Sequence, residues 1–307
     1  MADVLVEKQS GLRQNNRGIN YSPSTLKSTK QALDALLDFQ KHMGKRITFN
    51  SVNMMFYRQF VNYLQQNDYS TNSIGKFVRE LKMCLSDAES DGINYNPKYK
   101  DKKFRVPHFD AQSIYLTRGE LKRIEEVDLS KLRPCYEEAR DLFLVGVWTA
   151  QRVSDYGSIS MENIISADGR LAIALTQKKT KRKIIIPCSS ELRTILEKYN
   201  YNLPHIWPQH MNRYIKTIGR MAGITQPVEV TRSTGGVLKQ TSVPKYKLIC
   251  THTARRTGAT LMYLDGMDIY DIMRITGHSS PQMLEKYIKA SELEVAYKLS
   301  RKYSFFD

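Results

Sequence analysis

The stretch from His252 to Tyr287 constrains the fold more than any other part of the chain. It reads HTARRTGATLMYLDGMDIYDIMRITGHSSPQMLEKY. His252 and Arg255 are three residues apart, so their side chains share one face of a helix. The sequence therefore predicts a helix that presents an imidazole and a guanidinium together.

A second helix is predicted inside the same stretch. After a break at Gly266 comes a short amphipathic run, and Asp268 is suited to cap its N-terminus. Gly277 is suited to end it, because glycine readily adopts the left-handed backbone conformation of a helix C-cap. His278 then lies just beyond this helix, and Tyr287 follows nine residues later on another short helical segment.

Two imidazoles, a guanidinium and a phenol on one helix–turn–helix suit chemistry on a phosphodiester. Arginine holds two phosphate oxygens through its planar fork. Histidine donates a hydrogen bond or moves a proton near neutral pH. A phenol is a poor nucleophile at that pH unless cations and donors surround its target.

The order H-x-x-R, then G-H, then Tyr resembles the C-terminal signature of the tyrosine recombinases, the lambda-integrase and Xer-type family. That family has an upstream arginine in the context T-G-x-R-x-S-[ED]. Here residues 149–155 read TAQRVSD, with alanine in place of the usual glycine. The resemblance implies a catalytic set and one supporting acid. The catalytic set is Arg152, Lys179, His252, Arg255, His278 and Tyr287, and the supporting acid is Asp155.

The resemblance also implies roles for these residues. The two arginines clamp the nonbridging oxygens of the scissile phosphate, and Asp155 pairs with an arginine and orients it. Tyr287 attacks phosphorus in line, which gives a 3′-phosphotyrosyl link and a free 5′-hydroxyl. His252 is expected to be the general base for the phenol, and His278 a hydrogen-bond donor to the phosphate.

The family keeps a catalytic lysine on a β-hairpin, commonly in a K-T pair, where it protonates the leaving 5′-oxygen. Residues 162–187 are predicted to form three antiparallel strands, with a run of basic residues between the last two. Lys179 precedes a threonine there and is the preferred candidate, with Lys178 and Lys181 as alternatives.

The length of 307 residues predicts two domains. The expected fold class is mainly α with a small antiparallel β-sheet. It comprises an N-terminal helical core-binding domain of the SAM-like type and a mixed α/β catalytic domain. The expected boundaries are a flexible leader over 1–21, the helical DNA-binding domain over 22–96, a basic interdomain linker over 97–114, the catalytic domain over 115–290, and a C-terminal tail over 291–307 that is a candidate for exchange between protomers. Residues 1–20 are not expected to fold into the further N-terminal arm-binding domain of the larger integrases, so the sequence is expected to be either a truncated integrase or a simpler recombinase.

The charge of the chain favours a polyanionic partner. There are 47 basic and 31 acidic residues, which give a net charge of +16. Such an excess is typical of nucleic-acid binding, and double-stranded DNA recombination sites are the expected partner. Candidate DNA-binding residues lie on the first domain, the linker, the hairpin and a later helix. They are Lys76, Arg79, Lys98, Lys100, Lys102, Lys103, Arg105, Lys181, Arg213, Lys216 and Arg220.

Other classes of protein find no support in the sequence. The four cysteines are scattered without a C-x-x-C pair, so free thiols in a reducing cytoplasm are expected and a zinc site is not. No apolar run is long enough to span a membrane, and no apolar signal region begins the chain. Because there is no glycine-rich nucleotide loop and no H-E-x-x-H motif, no cofactor or metal is expected.

The predicted function is that of a site-specific recombinase, or integrase, of a mobile element, acting through a phosphotyrosyl intermediate and a Holliday junction. The resemblance implies a homo-oligomer on DNA, a tetramer, together with an accessory directionality factor or a host DNA-bending protein. The expected location is the cytoplasm, associated with the nucleoid. The alternatives are an Xer-type chromosome-dimer resolvase, a type IB topoisomerase, and a DNA-binding protein without catalysis.

Overall fold

The computed structural model describes residues 1–167 and 169–302. Within them, α-helices and two small antiparallel sheets confirm the predicted fold class. The first helices are α1 (Ala2–Ser10), α2 (Pro23–Met43), α3 (Met54–Gln66), α4 (Thr71–Ser90), α5 (Arg118–Glu126), α6 (Cys135–Thr149) and α7 (Val153–Tyr156). The later helices are α8 (Ser190–Lys198), α9 (Pro208–Met221), α10 (Thr251–Leu264), α11 (Ile269–Thr276), α12 (Pro281–Glu285) and α13 (Glu292–Lys302). The strands are β1 (Ile164–Ala167), β2 (Arg170–Thr176), β3 (Lys183–Pro187), β4 (Pro227–Thr234) and β5 (Val237–Pro244).

The chain divides into two compact units. The first consists of Met1–Gln112 together with Val230–Thr241, the middle of the β4–β5 hairpin. The second consists of Ser113–Glu229 together with the chain from Ser242 onward. Each unit has its own buried apolar cluster, which is the physical basis for treating the two as separate domains.

The core of the first unit is formed by the apolar faces of α2, α3 and α4. Phe39 of α2 packs against Phe56 and Phe60 of α3, with ring centroids 5.8 and 5.2 Å apart. Phe60 and Leu64 are almost wholly buried. Aromatic residues recur on one face because helical spacing brings positions three and four apart together. Burial of these large side chains is what stabilises the bundle.

The structure corrects the expectation of a flexible leader over 1–21. Residues 2–10 form α1, and its Val4, Leu5 and Lys8 are buried. Arg13, just after the helix, lies 2.5 Å from Asp91 and 2.7 Å from Glu7. A nine-residue helix is marginal by itself, so contacts with the bundle and this ion-pair network decide that it forms.

The structure also shortens the expected linker over 97–114. Pro97–Lys100 form a turn of 3-10 helix, and Tyr99 and Phe104 are buried in the core of the first unit. Phe104 lies 4.7 Å from the ring of Tyr57, and Lys100 is ion-paired with Glu89 at 2.7 Å. The two aromatic residues in the basic run therefore hold its first half against the bundle.

The second unit is organised around α6, which is buried along most of its length. Leu142, Phe143, Val145 and Val147 are at most 3% exposed, and α6 contacts α8, α9 and α10. Helix α5 begins with a capping box, in which Thr117 accepts from the backbone N–H of Glu120. A helix surrounded on all sides provides a rigid support for the segment that follows it.

The three-stranded sheet of the second unit has the order β1-β2-β3, with all neighbours antiparallel. Ile173 of β2 faces Ile186 of β3, and both are buried. The intervening Ile185 is 61% exposed. This alternation places one face of the sheet on the core and leaves its other face in solvent.

Helix α13 covers part of the predicted C-terminal tail. Its Glu294 accepts a hydrogen bond from the hydroxyl of Tyr115, and Lys298 lies 3.3 Å from the ring centroid of Tyr263 on α10. In this structure the helix therefore packs on its own catalytic unit. Residues 303–307 of the tail lie outside the described residues.

Within the described parts of the chain, no helix is both long and apolar enough to cross a membrane. Among the same residues, no group of three histidine, cysteine, aspartate or glutamate side chains could hold a metal ion.

Candidate active site

Helix α10 positions two of the predicted catalytic side chains. His252 lies in its first turn and is exposed, whereas Arg255, one turn later, is wholly buried. Arg255 Nη1 donates to the carbonyl of Ala150 at 3.0 Å, and Nη2 donates to the carbonyl of Thr276 at 2.8 Å. These bonds fix the plane of the guanidinium between the end of α6 and the end of α11.

The end of α6 places Arg152. Ala150 occupies the left-handed conformation at the helix C-cap, with φ of 51°. This is the position at which the resemblance leads one to expect glycine, and alanine adopts that conformation at a cost of roughly 1–2 kcal/mol. Arg152 is the N-cap residue of α7, and its Nη1 lies 3.8 Å from Oδ2 of the buried Asp155. The predicted pairing of Asp155 with an arginine is thus present in the structure.

The hairpin between β2 and β3 is attached to the same region. The backbone N–H of Lys178 donates to Asp155 Oδ1 at 2.9 Å. The side chain of Gln177 is buried and donates to the oxygens of Gln151 at 2.7 Å and Thr276 at 2.8 Å. Lys179 is exposed on this turn, and its charge acts on His252. The hairpin therefore brings the charge of Lys179 within electrostatic range of His252.

His278 and Tyr287 complete the cluster of predicted catalytic side chains. The predicted caps of α11 are confirmed: Asp268 accepts from a backbone N–H at the N-terminus, and Gly277 has φ of 74° at the C-terminus. The sequence predicts Tyr287 on a short helical segment. In the structure it lies instead in the turn that follows α12. Its ring centroid is 4.6 Å from that of His278 and 5.3 Å from the guanidinium carbon of Arg255.

Both histidines are shifted toward the neutral form. Burial, followed by the charges of Arg255 and Arg152, lowers the pKa of His278 to about 3. Partial desolvation of the otherwise exposed His252, followed by the charge of Arg256 and then of other nearby cations, lowers its pKa. Burial and Arg152 lower the pKa of Arg255 to about 10, so this guanidinium stays charged at neutral pH. The site is thus a cluster of permanent positive charges with neutral imidazoles between them.

Two buried donors of the site lack a hydrogen bond, although one of them faces the Asp155 carboxylate at 3.8 Å. Arg152 Nη1 and Arg255 Nε make no hydrogen bond, and neither does the Asp155 oxygen that faces Arg152. An unpaired buried N–H group is costly, and more so on a charged side chain. Buried, charged donors of this kind are satisfied when an anion with several acceptor oxygens enters the site.

All six predicted catalytic residues and Asp155 belong to the second unit, and the contacts and electrostatic interactions above connect them into one cluster. The DNA-binding candidates, in contrast, are distributed over both units. Lys76 is half-buried and donates to Gln31 at 2.8 Å, and Lys100 is exposed but ion-paired with Glu89. Lys216 is half-buried on α9. The other exposed candidates are Arg79, Lys98, Lys102, Lys103, Arg105, Lys181, Arg213 and Arg220.

Several residues that contribute to these arrangements carried no signal in the sequence. Gln177 and Thr276 lie in the site but belong to no recognisable motif. Arg182 donates through Nη1 to the carbonyl of His278 at 2.8 Å. In the first unit, Arg58 lines a cleft of about 580 Å³ with Lys102 and other cations of the basic run. The one signal in the sequence that could have identified Arg58 as a DNA-binding candidate is its position on the exposed face of α3.

Comparison with known proteins identifies the family of this chain. The model of the phage integrase family matches residues 115–294, and that of the phage integrase SAM-like domain matches residues 6–106. The chain belongs to the phage integrase family. It is a tyrosine-type site-specific recombinase, as the signature from His252 to Tyr287 predicts.

The Bacillus subtilis protein described as "Probable integrase/recombinase YoeC" is 27% identical over 184 residues, which are 58% of this chain and 93% of that relative. The virulence plasmid integrase pGP8-D of Chlamydia muridarum is 28% identical over 227 residues. That match covers 74% of this integrase-family chain but only 63% of the relative's length. A lambda integrase tetramer bound to a Holliday junction shares the fold, with a TM-score of 0.64, 16% identity, and coverage of 94% of this chain and 77% of that chain.

Proposed function

We propose that this recombinase cleaves and rejoins DNA strands with Tyr287 as the nucleophile, and that it integrates or excises a mobile element. The observation that carries the proposal is that two buried arginine donors without a hydrogen bond, Arg152 Nη1 and Arg255 Nε, lie in the cluster that also holds Tyr287. A phosphodiester supplies the nonbridging oxygens that these donors lack. The integrase relatives support a mobile element as the DNA substrate.

The proposed reaction conserves the energy of the bond that it breaks. The Tyr287 oxygen forms a bond to phosphorus, and the bond from phosphorus to the 5′-oxygen breaks. The phenol proton leaves to His252, which is held largely neutral and so can accept it. The 5′-oxygen takes a proton from Lys179. A 5′-hydroxyl of a second strand then attacks the phosphotyrosyl bond in the reverse sense, so no nucleotide cofactor is consumed.

The two arginines stabilise the charge of the transition state. Phosphoryl transfer through a pentacoordinate arrangement concentrates negative charge on the equatorial oxygens, where fixed positive donors are most effective. Asp155 and the carbonyls of Ala150 and Thr276 hold the guanidiniums before the substrate arrives. Orientation is therefore established in the free protein, which reduces the reorganisation needed during the reaction.

The DNA duplex is the proposed partner, and the exposed cations on both units are its contacts. In the first unit, the cleft lined by Arg58, Lys102, Lys103 and Arg105 is of a size and charge to follow a phosphate backbone. Assembly as a tetramer on a Holliday junction is proposed by analogy with the lambda integrase complex. Exchange of the tail from residue 291 onward between protomers, an accessory directionality or DNA-bending factor, and action at the nucleoid belong to the same proposal.

Covalent capture tests the nucleophile without knowledge of the target sequence. The protein is incubated with a pool of randomised duplexes that carry a nick, so that cleavage releases a short strand and traps the adduct. Complexes that survive denaturing detergent are sequenced for their DNA and digested to locate the modified tyrosine. We expect the adduct on Tyr287. The variant Tyr287→Phe should bind the selected DNA and form no adduct.

Tyr270→Phe is the matched control, because Tyr270 is 62% exposed on α11 and lies outside the cluster. It should form the adduct at the wild-type rate. An adduct of undiminished yield on Tyr287→Phe, or a modified peptide from another tyrosine, would show that the nucleophile is misassigned.

A further inference from the structure

His278 is part of a buried chain of hydrogen bonds. Arg255 Nη2 lies 3.1 Å from His278 Nε2, and His278 Nδ1 lies 2.8 Å from the hydroxyl oxygen of Thr276. That hydroxyl in turn lies 2.6 Å from the carbonyl oxygen of Ile272. Arg255 and Thr276 are wholly buried, and His278 is 2% exposed. Little water can therefore reach these atoms to exchange partners with them.

The direction of every bond in this chain follows from its two ends. A guanidinium N–H can only donate, so His278 Nε2 must accept and carries no proton. A neutral imidazole then has its proton on Nδ1, which donates to the Thr276 oxygen. The single hydroxyl proton of Thr276 is left for the carbonyl of Ile272, which can only accept. No other arrangement leaves all three bonds satisfied.

We propose that Thr276 is a positioning residue that fixes His278 in the Nδ1-protonated tautomer and thereby presents Nε2 to the active site as an acceptor. The inference rests on the proposed function for its catalytic meaning, but the tautomer itself is a property of the free protein. In this form Nε2 of His278 carries no proton, so it cannot donate a hydrogen bond to the phosphate. The family resemblance had implied such a donation. The first role of His278 is instead to hold Nη2 of Arg255.

Thr276 acts on Arg255 by two routes. Its carbonyl accepts from Arg255 Nη2 directly, and its hydroxyl acts through His278 on the same nitrogen. With both N–H groups of Nη2 held in this way and one N–H of Nη1 bonded to Ala150, the N–H of Nε and the second N–H of Nη1 are left for phosphate oxygens. The hydroxyl of Thr276 therefore contributes to the orientation of Arg255 as well as of the imidazole.

Nitrogen-15 spectroscopy of the histidine side chains tests the tautomer directly. The chain has 6 histidines, and the His278 signal is identified by its loss in His278→Gln. In the wild-type protein we expect a protonated Nδ1 and an unprotonated Nε2 at pH 7.5. Thr276→Val, which keeps the shape but removes the hydroxyl, should lose this signature. Thr276→Ser should retain it, since serine keeps the hydroxyl.

Cleavage of a captured DNA site gives the functional readout. Thr276→Val should slow adduct formation roughly 10- to 100-fold, the loss typical when a partner that orients a functional side chain is removed. DNA affinity should stay near the wild-type value, and Thr276→Ser should restore most of the rate. Thr194→Val is the control, because Thr194 makes the same bond to a carbonyl one turn earlier, at 3.0 Å, on α8 and outside the catalytic cluster.

The outcomes separate this inference from the proposed function. A proton on Nε2 in the wild-type protein would overturn the inference even if the adduct forms on Tyr287. A Thr276→Val protein that keeps both the tautomer and the cleavage rate would overturn it too. Absence of any adduct on wild-type protein, together with the expected tautomer, would instead refute the proposed function and leave the tautomer assignment standing.

Discussion

Replacement of Gly277 by alanine should disturb the site through one buried side chain. Gly277 has φ of 74°, and a Cβ at this position would lie 2.4 Å from Oε1 and 2.5 Å from Nε2 of Gln177. Gln177 cannot easily move away. Its Nε2 is bonded to Gln151 and Thr276, and its Oε1 accepts from Thr180. The added methyl group must therefore break part of this network or displace the end of α11.

The magnitude can be worked from these contacts. The left-handed conformation costs an alanine roughly 1–2 kcal/mol. Displacement of Gln177 by about 1 Å leaves one or two buried polar groups unsatisfied, at roughly 1–3 kcal/mol each. The sum is about 4 kcal/mol of unfolding free energy. Gly266→Ala isolates the first part, because Gly266 has φ of 86° and open space around its Cβ position.

Both tryptophans of the chain, Trp148 and Trp207, belong to the second unit, so their fluorescence follows the unfolding of the unit that holds the site. In urea, Gly266→Ala should lower the unfolding free energy by roughly 1–2 kcal/mol. Gly277→Ala should lower it by about 3 kcal/mol more, or roughly 6–12 °C in the melting temperature for a unit of this size.

Adduct formation should fall in Gly277→Ala and persist in Gly266→Ala, because Gln177 lies two residues before Lys179 and bonds to the carbonyl of Thr276. Equal costs for the two variants would refute the reasoning. They would mean that Gln177 yields without loss and that its hydrogen bonds do not hold the hairpin against α11.

Three further predictions follow from the charges of the site and the surface. Lys179→Ala should slow cleavage strongly, and a substrate with sulfur in place of the leaving 5′-oxygen should restore the rate, since a thiolate leaves without a proton. If this substrate rescues Lys181→Ala and not Lys179→Ala, the proton donor is Lys181. DNA binding should weaken with salt with a slope of at least about 5 in log affinity against log concentration, and replacing the exposed cations within 98–105 by glutamine should lower that slope; an unchanged slope would exclude this segment from the interface. The second unit should lose stability as the pH falls below 6.5. The pKa values of His252 and His278 are lowered in the folded state, so the unfolded chain takes up protons first. His278→Gln should flatten the pH dependence of the unfolding free energy, measured by urea unfolding between pH 5 and 7.5.

Much of the catalytic unit could be predicted from local sequence. The helix caps at Thr117, Asp268 and Gly277 are each encoded by a single residue. Thr117 and Asp268 accept hydrogen bonds from free backbone N–H groups at a helix N-terminus, and Gly277 ends a helix through its left-handed backbone conformation. The spacing of His252 and Arg255 needs only helical geometry. These features depend on neighbours within a few positions, so the order of the residues is enough to specify them.

Other features were decided by contacts between distant parts of the chain. Residues 2–10 are too short and too polar to predict a stable helix, yet burial of Val4 and Leu5 and the bonds of Arg13 make them part of the first unit. The basic run over 98–105 resembles an exposed linker, but Tyr99 and Phe104 find space in the core of the bundle. In both segments, tertiary burial outweighs local composition.

The sequence by itself determined the residue types of the site and their order, from Arg152 to Tyr287. Only the tertiary structure brought Gln177 and Thr276 to that site and joined α6, the hairpin and α11 through them. The physical reason is that a buried amide or hydroxyl depends on distant partners, as with Gln177 and Thr276, which are 99 residues apart in the chain. Its hydrogen bonds exist only after the helices have packed, and no local pattern encodes them.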